Sequence, residues 1–95
     1  AQNRTDYEAA RLLTYNAMAM KDAGLPNTSE ISMAKYFSAE AAVNAAKRTM
    51  DIMGGYGLLT DYPVSRYLLD AMGTIPCCGT SHIMQVIIAG EELRK

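Results

Sequence analysis

Two adjacent cysteines, Cys77 and Cys78, stand directly before a Gly-Thr-Ser turn that opens an apolar helix. A thiol acts as a base or nucleophile through its thiolate, and burial keeps it protonated unless a cation lies close. His82, four residues after Cys78, is a group that could assist it. Alternatively, the two thiols line a pocket as small hydrophobic residues. The residue types alone leave both interpretations open.

Cys77, Cys78 and His82 also offer three soft ligands to a metal ion. Adjacent cysteines point in different directions, however, and the C-x-x-C spacing of structural zinc sites is missing. We therefore predict no metal site. The narrow geometry that disulfides accept disfavours a bond between neighbours, so we expect free thiols in a reducing, cytosolic setting.

Helical periodicity defines the elements that must position this turn. Over Asn3–Ala23, apolar residues recur at gaps of three and four, and Gly24 and Pro26 then end the helix. A second helix, over about Thr28–Met53, carries an apolar stripe with further alanines around it, which is typical of the central helix of a bundle. The stripes are Ala10, Leu13, Ala17 and Met20 in the first helix, and Tyr36, Ala39, Val43, Ala46, Met50 and Met53 in the second.

Capping and helix-breaking residues set the next boundaries. Asn27 and Glu30 have the spacing of a capping box, and the glycines within Gly54–Gly57 are free to take the positive φ that ends the second helix. A third, short helix is predicted over Val64–Met72, with a break in the segment Gly73–Pro76.

The last helix starts at Thr80 or Ser81. Its apolar stripe, read from three-four-three spacing, comprises Ile83, Val86, Gly90 and Leu93. On the third helix, Arg66 and Asp70 have the i, i+4 spacing of a solvent-exposed ion pair, which we expect to contribute little to stability.

These elements predict an all-α, up-and-down helical bundle formed by a single domain over residues 1–95. Nothing caps the first helix, so we expect an incomplete four-helix bundle that belongs to a longer protein. A net charge of −1 without a basic cluster argues against nucleic-acid binding, and no apolar run approaches the length of a membrane span. The amino terminus has no secretory signal pattern.

Three stretches, in order, carry a resemblance that covers nearly the whole chain. They are a GGYG break after a long alanine-rich helix, the D-Y-P-V-x-R-Y stretch that begins at Asp61, and the G-T-S turn at Gly79. In this order and spacing the chain resembles the C-terminal helical domain of the acyl-CoA dehydrogenases.

The resemblance implies a homo-oligomeric flavoprotein, a dimer or a tetramer, that binds FAD and oxidises an acyl-CoA thioester. In that family the flavin takes a hydride from Cβ while a carboxylate removes a proton from Cα, and electrons then pass to an electron-transferring flavoprotein. It implies a cytoplasmic location, or the mitochondrial matrix if the parent protein is eukaryotic.

The resemblance also implies roles for individual residues. The stretch before and through GGYG would contact the flavin cofactor of a neighbouring subunit, with the glycines letting backbone N–H groups approach the dinucleotide. Thr80, Ser81 and His82 would help to hold the flavin at the start of the last helix, and Gly79 would lie near the acyl chain or its thioester oxygen. The first set comprises Asp51, Ile52, Met53, Gly54 and Gly55.

This chain departs from the family pattern at three of these positions. Asp51 stands where the family usually has Gln, and an ionised aspartate would repel phosphate. His82 replaces an acidic residue. Cys78 occupies the position of the catalytic Glu, so either Cys78 is the base or the carboxylate comes from a helix upstream of Ala1, as in some branches of the family.

Three further hypotheses remain. The protein could be a catalytically silent paralogue, a related flavin enzyme that acts on another substrate, or a non-catalytic helical module that self-associates or docks a partner helix through its alanine-rich face. Without the β-domain of the family, the isolated chain should not hold flavin tightly or turn over.

Overall fold

A computed structural model describes residues 1–95 as four α-helices and one short 3-10 helix, without strands. The order confirms the predicted all-α fold. The 3-10 helix, Gly54–Leu58, follows the second α-helix directly. The α-helices are α1 (Gln2–Asp22), α2 (Thr28–Met53), α3 (Val64–Thr74) and α4 (Ser81–Leu93).

Helix α2 is the centre of the molecule, as its apolar surface predicts. Its 26 residues give a length of about 39 Å. Helices α1, α3 and α4 each pack against α2 and make no packing contact with one another. The bundle is therefore incomplete, with open grooves between the outer helices. None of the helices has the length and hydropathy of a membrane span.

The end of α1 follows its predicted chemistry closely. Gly24 takes the left-handed φ of +74°, and its N–H donates to the Lys21 carbonyl at 3.0 Å. The Leu25 N–H donates to the Met20 carbonyl at 2.9 Å. These two bonds form a Schellman motif, which satisfies carbonyls that the helix leaves unpaired.

The predicted capping box at the start of α2 is wrong. The Asn27 side chain makes no cap; its Nδ2 donates to the Ala17 carbonyl of α1 at 2.8 Å. This tertiary bond ties the α1–α2 connection to α1 and outcompetes the local cap. Glu30 still lies in the first turn of α2, where the helix dipole favours an acidic residue.

Helix α3 is longer than predicted, because it continues through Gly73 to Thr74. A single glycine lowers helix stability but does not end a helix, whereas Pro76 cannot continue one. The predicted Arg66–Asp70 pair is absent among the ion pairs; the Arg66 guanidinium instead lies 5.8 Å from the Tyr67 ring centroid.

Helix α4 packs through a different face from the stripe read in the sequence. Ser81 and Met84 are buried against the bundle. Ile83, Val86 and Leu93 are 52%, 67% and 87% exposed. Both faces of α4 are apolar, so spacing alone could not select the one that packs.

Candidate functional site

The turn between α3 and α4 is held against the middle of α2 by side-chain hydrogen bonds. The Ser81 hydroxyl donates to Glu40 Oε1 at 2.9 Å, and Gln85 Nε2 donates to the Tyr36 hydroxyl at 3.0 Å. Because Ser81 pairs with Glu40 and Gln85 with Tyr36, α4 runs opposite to α2. The turn therefore has a fixed place on the central helix.

Both cysteines are free thiols on the exposed surface of this turn. Their Sγ atoms are 3.7 Å apart. Cys78 has a φ of +59°, which is uncommon for a residue with a Cβ, and Gly79 follows with a φ of +124°. The backbone therefore reverses over two residues of positive φ, which leaves the sulfur atoms at the rim of the turn.

The electrostatics of the thiol pair disfavour a thiolate on Cys77. The hydrogen bond with Cys78 raises the pKa of Cys77 above its ordinary value, charge repulsion with Cys78 and partial desolvation add to this, and the charge of Lys35 opposes it. Since a thiol already titrates above neutral pH, Cys77 is protonated under physiological conditions. His82 is exposed and makes no hydrogen bond with either thiol.

The N-terminus of α4 presents unpaired backbone donors. Thr80 Oγ1 accepts from the Ile83 N–H at 3.2 Å, so Thr80 is the N-cap. The Ser81 side chain is buried and committed to Glu40, which leaves its backbone as the part that can meet a ligand. The N–H groups of Ser81 and His82 have no acceptor within the chain. Two donors at the positive end of a helix are suited to a phosphate or carbonyl oxygen.

Gly79 is enclosed on one side by the core. A Cβ at this position would lie 2.6 Å from Met84 Cε, and its positive φ would strain any other residue. Its carbonyl accepts a hydrogen bond from Lys35 Nζ at 2.7 Å. The backbone and packing thus require a glycine here, independently of the substrate contact that the resemblance implies.

The second predicted site, Asp51–Gly55, lies at the C-terminal end of α2. Gly54 has a φ of +60°, which favours glycine, whereas Gly55 has no positive φ and a Cβ there would meet no atom within 4 Å. Nothing within the chain therefore requires a glycine at position 55. A ligand or another subunit that approaches the backbone closely there would require one. Both glycines are exposed.

Asp51 and Ile52 line an open groove of about 320 Å³ beside Arg48 and residues 1–3. The Arg48 guanidinium is paired through Nη1 with Asp6 Oδ2 at 2.9 Å and forms no ion pair with Asp51. The Asp51 carboxylate therefore stands exposed at the groove. Met53 lines a separate apolar groove of about 490 Å³ between α2 and α3.

The structure gathers the predicted residues into two clusters and does not join them within one chain. Cys78, Gly79, Thr80, Ser81 and His82 belong to the α3–α4 turn, which pairs with Glu40. Gly54 directly follows the end of α2, fourteen residues after Glu40, which corresponds to about 21 Å along the helix axis. A ligand that touches both clusters must be long or must meet them in different subunits.

Lys35 is a residue of the site that the sequence analysis missed. Its Nζ donates to the carbonyls of Thr74, Ile75 and Gly79 at 3.0, 2.5 and 2.7 Å. The single signal in the sequence is a lysine placed within the apolar surface of α2, between Ala34 and Tyr36. The structure contains no group of three or more His, Cys, Asp or Glu side chains arranged for a metal ion.

Comparison with known proteins identifies relatives along nearly the whole chain. The family model described as "Acyl-CoA dehydrogenase, C-terminal domain" matches residues 1–93. A glutaryl-CoA dehydrogenase from Desulfococcus multivorans is 44% identical over 94 residues, which is 98% of this chain and 24% of that protein.

Two solved structures superpose closely. The butyryl-CoA dehydrogenase of Megasphaera elsdenii matches with a TM-score of 0.91 and 34% identity over 96% of this chain and 24% of that chain. A chain from work on the electron transferring flavoprotein of Acidaminococcus fermentans matches with a TM-score of 0.93 and 35% identity, over 98% of this chain and 24% of that chain. The chain thus spans about a quarter of the length of the proteins it matches.

Proposed function

The chain belongs to the acyl-CoA dehydrogenase family, through its C-terminal domain, and on that premise we propose that it is the flavin-contacting helical part of an FAD-dependent acyl-CoA dehydrogenase. The observation that carries the proposal is the α4 N-terminus, where the N–H groups of Ser81 and His82 lack acceptors beside the position of the family's base. The parent protein would oxidise the α,β bond of an acyl-CoA thioester.

FAD, when bound, would supply the acceptor for the hydride that leaves Cβ of the substrate. The residues of this chain fit such a cofactor at two places. The free N–H groups at the start of α4 can donate to an oxygen of the flavin, and the open surface at Gly54 and Gly55 admits a dinucleotide close to the backbone. Asp51 fits less well, because its exposed carboxylate would repel a phosphate.

The two clusters would serve different cofactors in a homo-oligomer, a dimer or a tetramer. The α4 turn would contact the flavin of its own subunit, and the Asp51–Gly55 corner that of a neighbour. The separation of about 21 Å along α2 supports this division.

We assign the α-proton of the substrate to a carboxylate outside this chain rather than to Cys78. A thiol is a weak general base for the α-proton of a thioester, and Cys78 brings no carboxylate to the position. Gly79 would lie beside the acyl chain or the thioester oxygen.

Acyl-CoA and an electron-transferring flavoprotein would be the partners of the complete protein, in the cytoplasm or the mitochondrial matrix. Two alternatives would leave it without this activity: a catalytically silent paralogue, or a helical interaction module. The seventeen exposed large hydrophobic residues are the observation that favours a module.

Titration of the full-length protein with FAD separates these proposals. Saturable binding that quenches the flavin fluorescence, together with a dimer or tetramer in sedimentation, is expected for the enzyme. Replacing Gly55 with Glu should weaken binding, while the same change at the exposed Gly90 of α4 serves as the control. Oligomers without FAD binding would support the module instead.

A further inference from the structure

The ammonium group of Lys35 is saturated by backbone carbonyls. An ammonium has three N–H donors, and here each has a carbonyl acceptor, at Thr74, Ile75 and Gly79. Thr74 is the last residue of α3 and Ile75 follows it, where the helix leaves carbonyls unpaired and its dipole is negative. Lys35 therefore connects α2 to both ends of the α3–α4 turn.

The Ser81–Glu40 bond anchors the α4 end of the turn, but between Ile75 and Gly79 the backbone donates only two hydrogen bonds of its own. The Gly79 N–H donates to the Pro76 carbonyl at 3.4 Å, a long bond, and the Ile75 N–H donates to the Met72 carbonyl at 3.2 Å. Cys78 nevertheless keeps a φ of +59°. A side chain with a Cβ holds a left-handed conformation only where its surroundings impose it.

We propose that Lys35 is the positioning residue of the turn: its three charge-assisted hydrogen bonds impose the backbone conformation that sets where Cys78 and Gly79 stand. The identification of this turn as the substrate-facing surface rests on the proposed function, whereas the positioning itself does not. Lys35 touches no reacting atom in this account and acts through the backbone of the turn.

The position of Lys35 explains why its charge matters as well as its length. It lies close enough to the thiols for its positive charge to act against the raised pKa of Cys77. An uncharged side chain of the same length would leave the carbonyls without these donors and would remove that favourable effect on the thiolate.

Amide hydrogen exchange of the chain tests the proposal, read at Ile75 and Gly79, with Val43 in α2 as the internal reference. Lys35→Met keeps the apolar stem and removes the donors, so exchange at Ile75 and Gly79 should accelerate at least about tenfold while Val43 is unchanged. Lys47→Met, at an exposed lysine on the same helix, should change none of the three.

Lys35→Arg keeps the charge, so the exchange rates of the Ile75 and Gly79 amides should stay within about threefold of the wild type. If Lys35→Met shows no cooperative unfolding in urea, it is not properly folded, and Lys35→Arg then decides the test. Exchange at Ile75 and Gly79 in Lys35→Arg that is more than about tenfold faster than in the wild type would overturn the proposal. Unchanged exchange in Lys35→Met, or equal acceleration at Val43, would overturn it as well.

Alkylation of the thiols by iodoacetamide gives a second readout that a merely structural role would not move. In Lys35→Met the pH profile of Cys77 alkylation should move away from that of the wild type, because the Lys35 charge is lost and the turn no longer fixes the Cys77–Cys78 contact of 3.7 Å. An unshifted profile would contradict the proposal. If the turn loosens as expected but the full-length wild type neither binds FAD nor oxidises acyl-CoA, the positioning role stands and the proposed function fails.

Discussion

At the scale of single residues, Cys78 decides how the site differs from its family. Its thiol, which we propose stands at the position of the family's base, is exposed, with a left-handed backbone and a neighbouring thiol 3.7 Å away. A carboxylate tuned by its environment suits the α-proton of a thioester better than a protonated thiol. We therefore propose that Cys78 does not take the proton.

Replacing Cys78 with alanine in the full-length protein tests this assignment. If the base is a carboxylate elsewhere, the rate of acyl-CoA oxidation should stay within about threefold, since Cys78 then supplies no group that takes the proton. Cys77→Ala is the matched control. A rate that collapses in Cys78→Ala alone, with FAD still bound, would make Cys78 the base.

The thiol pair makes a second prediction, about reactivity. The hydrogen bond with Cys78 is the largest cause of the raised pKa of Cys77, so Cys78→Ala should lower that pKa toward its ordinary value. A larger thiolate fraction at neutral pH follows, and Cys77 should be alkylated faster than in the wild type. Slower alkylation, measured by mass spectrometry over a pH series, would show that Cys78 activates its neighbour instead.

At the scale of elements, replacing a glycine with alanine should have opposite effects on stability in α3 and in the turn that follows it. Gly79→Ala meets both a φ of +124° and Met84 Cε at 2.6 Å, and should destabilise the chain by about 1–3 kcal/mol. Gly73→Ala lies within α3 in open space and should stabilise it by about 0.5–1 kcal/mol. Urea unfolding measures both, and a stabilising Gly79→Ala would refute the backbone account.

The sequence predicts α2 almost completely, because Pro26 and Gly54 punctuate it and its stripe lies on one face. It does not predict the packed face of α4, where Ile83 and Met84 are equally apolar and only contact with α2 chooses between them. Asn27 and Lys35 were misread or missed for one reason: the groups they bind are distant in sequence. Local sequence patterns predict where helices begin and end, but they do not predict hydrogen bonds between residues that are distant in sequence.

At the scale of the whole molecule, the chain exposes more surface than a folded protein of its size. Its accessible area is 6623 Å², whereas the scaling for monomers of this mass gives about 5,400 Å². Its radius of gyration is 15.6 Å against about 12.4 Å expected for this length. The excess of about 1,200 Å² is larger than the area that one partner buries in a standard protein interface. We therefore expect other protein surface to cover these helices.

An isolated chain of residues 1–95 should therefore be colourless and should associate with itself. It lacks the remaining three quarters of the relatives' length, so the donors of α4 and the Gly54 corner alone should not retain FAD. Absorbance after purification and sedimentation over a concentration series measure the two properties. A yellow, monomeric preparation would contradict both.

The most direct test of the account is anaerobic addition of acyl-CoA to the FAD-loaded full-length protein, followed in the visible absorbance of the flavin. We expect the flavin band to bleach with a saturable dependence on acyl-CoA, and an enoyl-CoA product to form in equal amount. A flavin band that stays unchanged across acyl-CoA thioesters of different chain length and branching would contradict it.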